Sequence, residues 1–421
     1  MPITRRVFLP SLAAPLLAQP RRRPHILFIG GWNLYNIGDV AIPLGFFRLR
    51  DQYFPEAKIT LLIASYPKEL GDYYRGFYPD LDIIPFEFKA GVPLSPQTEE
   101  AFRGADALVL GSGMTLSYGY YGLEYDRYIP RLLAFLKAKQ MGIPFGVYAH
   151  SFDKLEPHAE YLYKEVLNQA AFIYTRDSES LKLIQSKGVS TREMAFAPDT
   201  TFGFDLHKRP EAKTLGEAFL REHKLEPGKF LSFIARLDVN RFRNDGREQH
   251  HAEQTRELIV RYVRATKEPV AIVPEVERLL KDTKQMVYDQ LPGDVKPLVR
   301  CSEKYWMPAE AQHVYANSRM VVSAEMHSVI LGLAAGTPSL HPYFAQAGLK
   351  QWMMRDLGLQ QWLFDQDAVP LEKVSDAMLA VHKDTPAART STANAMDFAR
   401  KRQSETFAVL KRAAMGHISS K

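Results

Sequence analysis

The chain has 421 residues, 46% of them hydrophobic and 24% charged, a composition that fits two ordinary globular domains and excludes disorder or a fibrous repeat. Its single cysteine, Cys301, excludes a disulfide framework and any thiolate metal cage. The formal net charge of +6 invites a nucleic-acid reading, but Arg5, Arg6, Arg21, Arg22 and Arg23 carry five of the six, so the chain from Pro24 onward is nearly neutral and lacks the broad basic face that nucleic-acid binding requires.

In chain order, Met1 to Pro20 reads as a targeting segment, with Arg5-Arg6 ahead of a short apolar run to Ala18. It resembles a twin-arginine export signal, which implies a periplasmic or otherwise extracytoplasmic protein; a basic tail on a cytoplasmic protein is the alternative. Residues 1–23 are assigned to this segment and its basic flank. No run of eighteen apolar residues occurs, so no membrane-spanning helix is expected in the mature chain.

The run His25-Ile-Leu-Phe-Ile-Gly-Gly31 is a buried parallel strand opening into a loop. Further strands are expected at Ile59–Ala64, Ala107–Leu110, Phe145–Ala149, Phe172–Tyr174 and Met194–Phe196, with helices at Tyr128–Gln140 and His158–Ala170. A polar stretch, 206–229, reads as a linker with a short helix. A second series follows at Phe230–Ile234, Val270–Val273, Lys296–Val299, Met320–Val322 and Pro338–Leu340, and one or two helices are expected from Ala387 to Met415. The reading is an α/β protein of two doubly wound, Rossmann-like domains, 24–205 and 230–421, facing each other across a cleft, with ligands at the carboxyl ends of the strands.

Three strand-to-loop junctions carry candidate chemistry. In Gly30 to Asp39, the glycines permit close backbone approach, Asn36 offers an amide, and Asp39 can cap a helix beginning near Val40. Neither a dinucleotide fingerprint nor a Walker lysine is present. The turn Gly111-Ser112-Gly113 precedes the aromatic run Tyr118–Tyr125, either a sugar-stacking surface or a packed loop. Ser323-Ala-Glu325-Met326-His327-Ser328 places a carboxylate and an imidazole two residues apart at a strand end, an acid–base pair if both face the cleft. No metal is implied, because His250 and His251 are adjacent and point apart, with no carboxylate cluster beside them.

Asn36-x-Gly38-Asp39, Gly111-Ser-Gly113, Thr175-Arg176-Asp177-Ser178-Glu-Ser180-Leu181 leading to Gly188-Val189, Pro198-Asp199, and His327 followed by Gly336-x-Pro338 and Tyr343 resemble, in this order, the polysaccharide pyruvyl transferase family. The resemblance spans about Ile26 to Tyr343. It implies a GT-B-like architecture and an enzyme that moves the enolpyruvyl unit of phosphoenolpyruvate, a co-substrate, onto a glycan acceptor as a cyclic ketal. It assigns His327 as the candidate general acid, and Glu325 stays its catalytic partner on the acid–base reading of the residues alone. Arg236 becomes a cation for a small anionic donor, and Asn36, Gly38, Asp39, Gly111, Ser112, Gly113, Met326 and Tyr343 complete the binding residues. Arg176-Asp177 is expected to order the turn after its strand, and an ion pair of Arg236 with Asp238 is the alternative to donor binding.

Three positions depart from the family's pattern. Glu325 stands where the family has Arg, so an anion replaces a donor-binding cation and repels phosphoenolpyruvate unless it is neutralised. Tyr343-Phe-Ala-Gln346 lacks the usual lysine, and Ala149-His-Ser-Phe-Asp-Lys154 replaces a Gly-Pro-like turn. Phosphoenolpyruvate is also cytosolic, which sits poorly with export. A glycan-binding protein without catalysis and a nucleotide-sugar glycosyltransferase on the same fold therefore stand as competing readings.

Overall fold

The computed structural model describes residues 22–63, 67–86, 92–117, 125–155, 157–237 and 247–420. The twin-arginine-like segment, nearly all of the aromatic run 118–125, and Asp238 lie outside the described residues.

Two sheets, each wholly parallel, organise the chain. The first contains β1 (His25–Ile29), β2 (Lys58–Ile63), β3 (Asp82–Pro85), β4 (Ala107–Leu110), β5 (Phe145–His150), β6 (Phe172–Thr175) and β7 (Met194–Phe196), in the order β3-β2-β1-β4-β5-β6-β7. The second contains β8 (Leu231–Ile234), β9 (Val270–Ile272), β10 (Val299–Cys301), β11 (Met320–Ser323), β12 (Ser339–Tyr343) and β13 (Leu363–Asp365), in the order β10-β9-β8-β11-β12-β13. In both, the winding reverses beside the first strand, between β1 and β4 and between β8 and β11. Doubly wound sheets open a ligand crevice at such reversals.

These strands form because helices cover both sheet faces and leave room only for apolar side chains. Ile26, Leu27, Phe28, Leu61, Leu62, Leu108 and Val109 are all fully buried. Two expected boundaries move. The strand placed at Lys296–Val299 begins at Val299, because Pro297 has no N–H for a ladder and the Lys296–Leu298 segment coils into a 3-10 turn. The strand placed at Pro338–Leu340 runs from Ser339 to Tyr343, because β13 pairs with its far end. The edge strands β3 and β13 are too short to show a periodic pattern in the sequence.

The C-terminal stretch forms one helix, Thr385–Ser420, that leaves the second domain and crosses the first. Phe407 packs against Phe46 and Tyr148, with ring centroids 5.2 and 5.4 Å away, and Thr406 and Tyr148 join hydroxyls at 2.7 Å. Burying one such phenylalanine contributes about 1.5–3 kcal/mol. Arg402 donates to the carbonyl of Phe196, and Lys411 pairs with Glu56, so charged groups follow the apolar stripe onto the first domain.

Arg22 and Arg23, counted with the basic flank, are bound to the fold. Arg22 pairs with the buried Asp106, and Arg23 donates to the carbonyl of Glu56. Among the described residues no helix is long and apolar enough to cross a membrane, and no three His, Cys, Asp or Glu side chains cluster as metal ligands.

Candidate active site

Arg236 follows β8, and Glu325 and His327 follow β11, so the two flanks of the second sheet's reversal carry all three. Ser323 shapes the exit of β11: its hydroxyl accepts from the Glu325 N–H at 3.0 Å and donates to the Glu325 carbonyl at 2.7 Å. The chain then enters the helix Met326–Ala334 with Glu325 at its N-cap. The Glu325 side chain makes no capping bond. It turns to Arg236 instead, Oε2 accepting from Nη1 at 2.8 Å, with both side chains almost wholly buried.

The cap comes from a residue that sequence reasoning missed. Glu275, three residues past the end of β9 and only 2% exposed, accepts at Oε2 from the Ser328 N–H and the Ser328 hydroxyl, each at 2.7 Å. Its Oε1 lies 3.4 Å from His327 Nδ1. Burial pushes the Glu275 carboxyl up, but the neighbouring His327 and the hydrogen bonds from Ser328 outweigh it and hold the group below the ordinary carboxylate range. The only signal in the sequence was a carboxylate one proline past the apolar run Val270 to Val273.

The first domain closes over this site. Asn36 accepts from the Gly38 N–H at 2.9 Å and caps the helix Ile37–Tyr53. A Cβ on Gly38 would stand 2.0 Å from His327 Nδ1, so only glycine permits that helix start to rest on the imidazole. The Ile37 N–H donates to the Glu275 carbonyl at 3.1 Å and the Glu277 N–H to the Tyr35 carbonyl at 3.0 Å, with an antiparallel bridge between Asn36 and Val276. These bonds stitch the loop after β1 to the loop after β9.

Asp199, fully buried in the first domain, also acts on His327. Burial opposes its charge, yet Arg176, His327 and the Thr201 N–H hold it below the ordinary range. His327 itself is 7% exposed, and its Nε2 is buried without a hydrogen-bond partner among the described residues.

Several expected site residues have other duties. Gly111 lies against Phe28, where a Cβ would come within 2.3 Å of the ring, and the Ser112 hydroxyl is buried against Thr200 at 3.1 Å. Gly113 bridges to His150, whose Nδ1 donates to the Gly111 carbonyl at 2.9 Å while Nε2 accepts from the Leu116 N–H, so the departed turn after β5 braces the glycine turn. Met326 points into the apolar core of the second domain rather than the cleft. Tyr343 stacks beside His341, one strand beyond the reversal. Asp39 sits in the first helical turn, where its charge opposes ionisation of the buried phenols of Tyr74 and Tyr305. Arg176 is buried against Asp199 at 2.8 Å, and Asp177 caps the helix Ser178–Ser186, so this pair orders the turn after β6.

Lys350 was also missed. Buried at 6% exposure on a 3-10 turn, it acts electrostatically on Asp153 of the first domain and on His341 of the second. Arg236 acts on His341 as well. Two buried cations therefore lie within electrostatic reach of His341, although position 346 holds no lysine.

A family model described as polysaccharide pyruvyl transferase matches residues 36–341, a span containing Asn36, Arg236, Glu275, Glu325 and His327. Among solved structures, a glycosyltransferase from Rickettsia africae has a TM-score of 0.58 at 10% identity, covering 93% of this chain and 99% of its own. UDP-GlcNAc 2-epimerase from Neisseria meningitidis, bound to UDP-GlcNAc, gives 0.57 at 11%, covering 92% and 100%. The Anabaena protein HepE, in complex with UDP and glucose, gives 0.56 at 12%, covering 91% and 98%. At such low identity these likenesses establish the two-domain GT-B-like fold alone. No curated protein sequence matches the chain.

Proposed function

This chain belongs to the polysaccharide pyruvyl transferase family, and we propose that it transfers a pyruvyl group from phosphoenolpyruvate, or a related anionic enol ester, to a sugar of a cell-surface or secreted glycan. The observation that carries this reading is the buried His327, backed by Glu275 at Nδ1, beside Arg236 at the reversal of the second sheet.

Ketal formation starts when a proton from His327 adds to the donor's methylene carbon, leaving positive charge at the adjacent carbon. A sugar hydroxyl attacks there and its proton returns to His327. The carbon–oxygen bond to phosphate breaks, phosphate leaves with the electron pair, and a second hydroxyl of the same sugar closes the ring, its proton passing to the departing phosphate. Donor and diol become a methyl-bearing ketal and inorganic phosphate, with atoms and charge balanced. Lys350 and the positive end of the helix Ile37–Tyr53 supply favourable potential for the donor's anionic groups, and Arg236, though paired with Glu325, offers its remaining N–H groups. Glu325 is compatible with an anionic donor because Arg236 already neutralises it.

Purified full-length protein given phosphoenolpyruvate and bacterial polysaccharide should release phosphate, and His327→Asn should abolish release while the protein stays folded. Absence of release from the wild-type protein across acceptors overturns the reading. The neutralised Arg236–Glu325 pair, which lessens positive charge at the site, favours a second reading with a nucleotide-sugar donor. A thermal shift with UDP-sugars and none with phosphoenolpyruvate would select it. We also propose export through the twin-arginine-like segment; replacing Arg5-Arg6 by Lys-Lys should retain the protein in the cytoplasm on cell fractionation.

A further inference from the structure

Glu275 is a carboxylate placed where water cannot reach it, so an oxygen left without a donor is costly. Oε2 takes both Ser328 donors, whereas Oε1 has no hydrogen-bond partner among the described residues and faces His327 Nδ1 at 3.4 Å. The backbone on either side is held as well: the Trp306 indole N–H donates to the Pro274 carbonyl at 2.8 Å, and Ile37 of the first domain donates to the Glu275 carbonyl. The Tyr315 hydroxyl donates to the Ser328 hydroxyl at 3.1 Å, extending the chain of donors behind the carboxylate.

We infer that Glu275 is the positioning residue for His327, holding Nδ1 as the N–H donor and thereby making Nε2 the nitrogen that exchanges a proton with the substrate. Three observations converge on this. Nδ1 is enclosed between Glu275 Oε1 and the helix start at Gly38, leaving a reacting atom no approach from that side. Nε2 is the buried ring nitrogen without a partner among the described residues, which suits an atom whose partner is the substrate. The bonds that place Glu275 come from both domains, so the imidazole acquires its orientation when the loops after β1 and β9 are docked. Histidines that act through one nitrogen are commonly oriented by a carboxylate on the other. This inference rests on the reading of His327 as the proton-transfer group.

The test uses full-length protein labelled with 15N-histidine, the His327 signals being identified by their loss in His327→Asn. At the alkaline end of the range over which the protein stays folded, the wild-type ring should show one tautomer, with Nδ1 protonated and Nε2 bare. Glu275→Gln, whose amide either donates or accepts, should give both tautomers and lower the kcat of phosphate release roughly 10- to 100-fold, with KM held within about twofold. A merely structural cap on the helix Met326–Ala334 would leave the tautomer unchanged. A wild-type ring protonated at Nε2 overturns the inference even if Glu275→Gln does not fold, and so does a folded Glu275→Gln protein with an unaltered tautomer. If the tautomer depends on Glu275 while the wild-type protein releases no phosphate, the positioning role stands and the transfer reading falls. If phosphate is released and the tautomer is indifferent to Glu275, the reverse holds.

Discussion

Arg236 and Glu325 meet as a buried ion pair, Nη1 to Oε2 at 2.8 Å, although 89 positions separate them in the chain. An anion that would repel an anionic donor is thus already compensated by the cation expected to bind that donor. A buried pair adds little net stability over apolar residues of similar size, but removing one member takes away charge compensation that the other, still buried, relies on.

Glu325→Gln is therefore expected to cost about 3–5 kcal/mol in denaturant unfolding, while Arg236→Met combined with Glu325→Leu recovers most of that loss. Glu325→Arg, which mimics the family's residue, brings two guanidinium groups together in a buried site and should destabilise the protein without improving donor binding. Equal stability of Glu325→Gln and wild type would refute the compensation.

Gly38→Ala tests the contact between the first domain and His327. Alanine in a helix normally stabilises by roughly 0.5–1 kcal/mol relative to glycine. Here the added Cβ meets the imidazole at 2.0 Å, and a net loss of about 1–3 kcal/mol is expected, with reduced phosphate release. A stabilised, fully active Gly38→Ala protein would contradict the docked geometry.

Across the cleft, Asp356 of the second domain accepts from the Ser178 N–H at 2.7 Å and the Ser178 hydroxyl at 2.8 Å, adding an anion to the start of a first-domain helix. Arg355 joins the same contact by donating to Glu179 at 2.8 Å. Asp356→Ala should cost about 1 kcal/mol in thermal unfolding and enlarge the radius measured by small-angle scattering as the domains loosen. An unchanged radius would show that other contacts suffice.

His341 is fully encased, and burial lowers its pKa to about 4 even though Nδ1 donates to the Ser323 carbonyl at 2.7 Å. The unfolded chain binds this proton near pH 6.5, so the stabilising contribution is complete above that pH and is lost as pH falls toward 4, by roughly 3 kcal/mol. The Asp177 carboxyl, which burial pushes up to about 6, acts in the opposite sense between about 4 and 6. Unfolding measured from pH 7 to pH 4 should therefore flatten in His341→Asn, whose amide keeps the donor at the Nδ1 position; an identical slope would exclude His341 as its source.

Much of the scaffold was legible because a parallel strand covered on both faces must be apolar throughout, as in His25-Ile-Leu-Phe-Ile, and its exit into a ligand crevice calls for glycine or a capping side chain, as at Asn36 and Gly38. The order of the strands within each sheet was not legible, since adjacency depends on how crossovers wind. Likewise Gly111 and Ser112 looked like binding residues because a glycine turn after a strand reads the same whether it approaches a ligand or, as here, Phe28 and Thr200.

The amino-acid sequence by itself determined the alternation of strands and helices, the strand ends carrying polar groups, and the concentration of net charge in the first 23 residues. Only the tertiary structure decided which charge faces which: Glu325 against Arg236, Glu275 behind His327, Lys350 beside His341. The physical reason is that electrostatic and hydrogen-bonding energies depend on distance and burial in space, and a chain order that separates Glu275 from His327 by two strands and the helices between them carries neither.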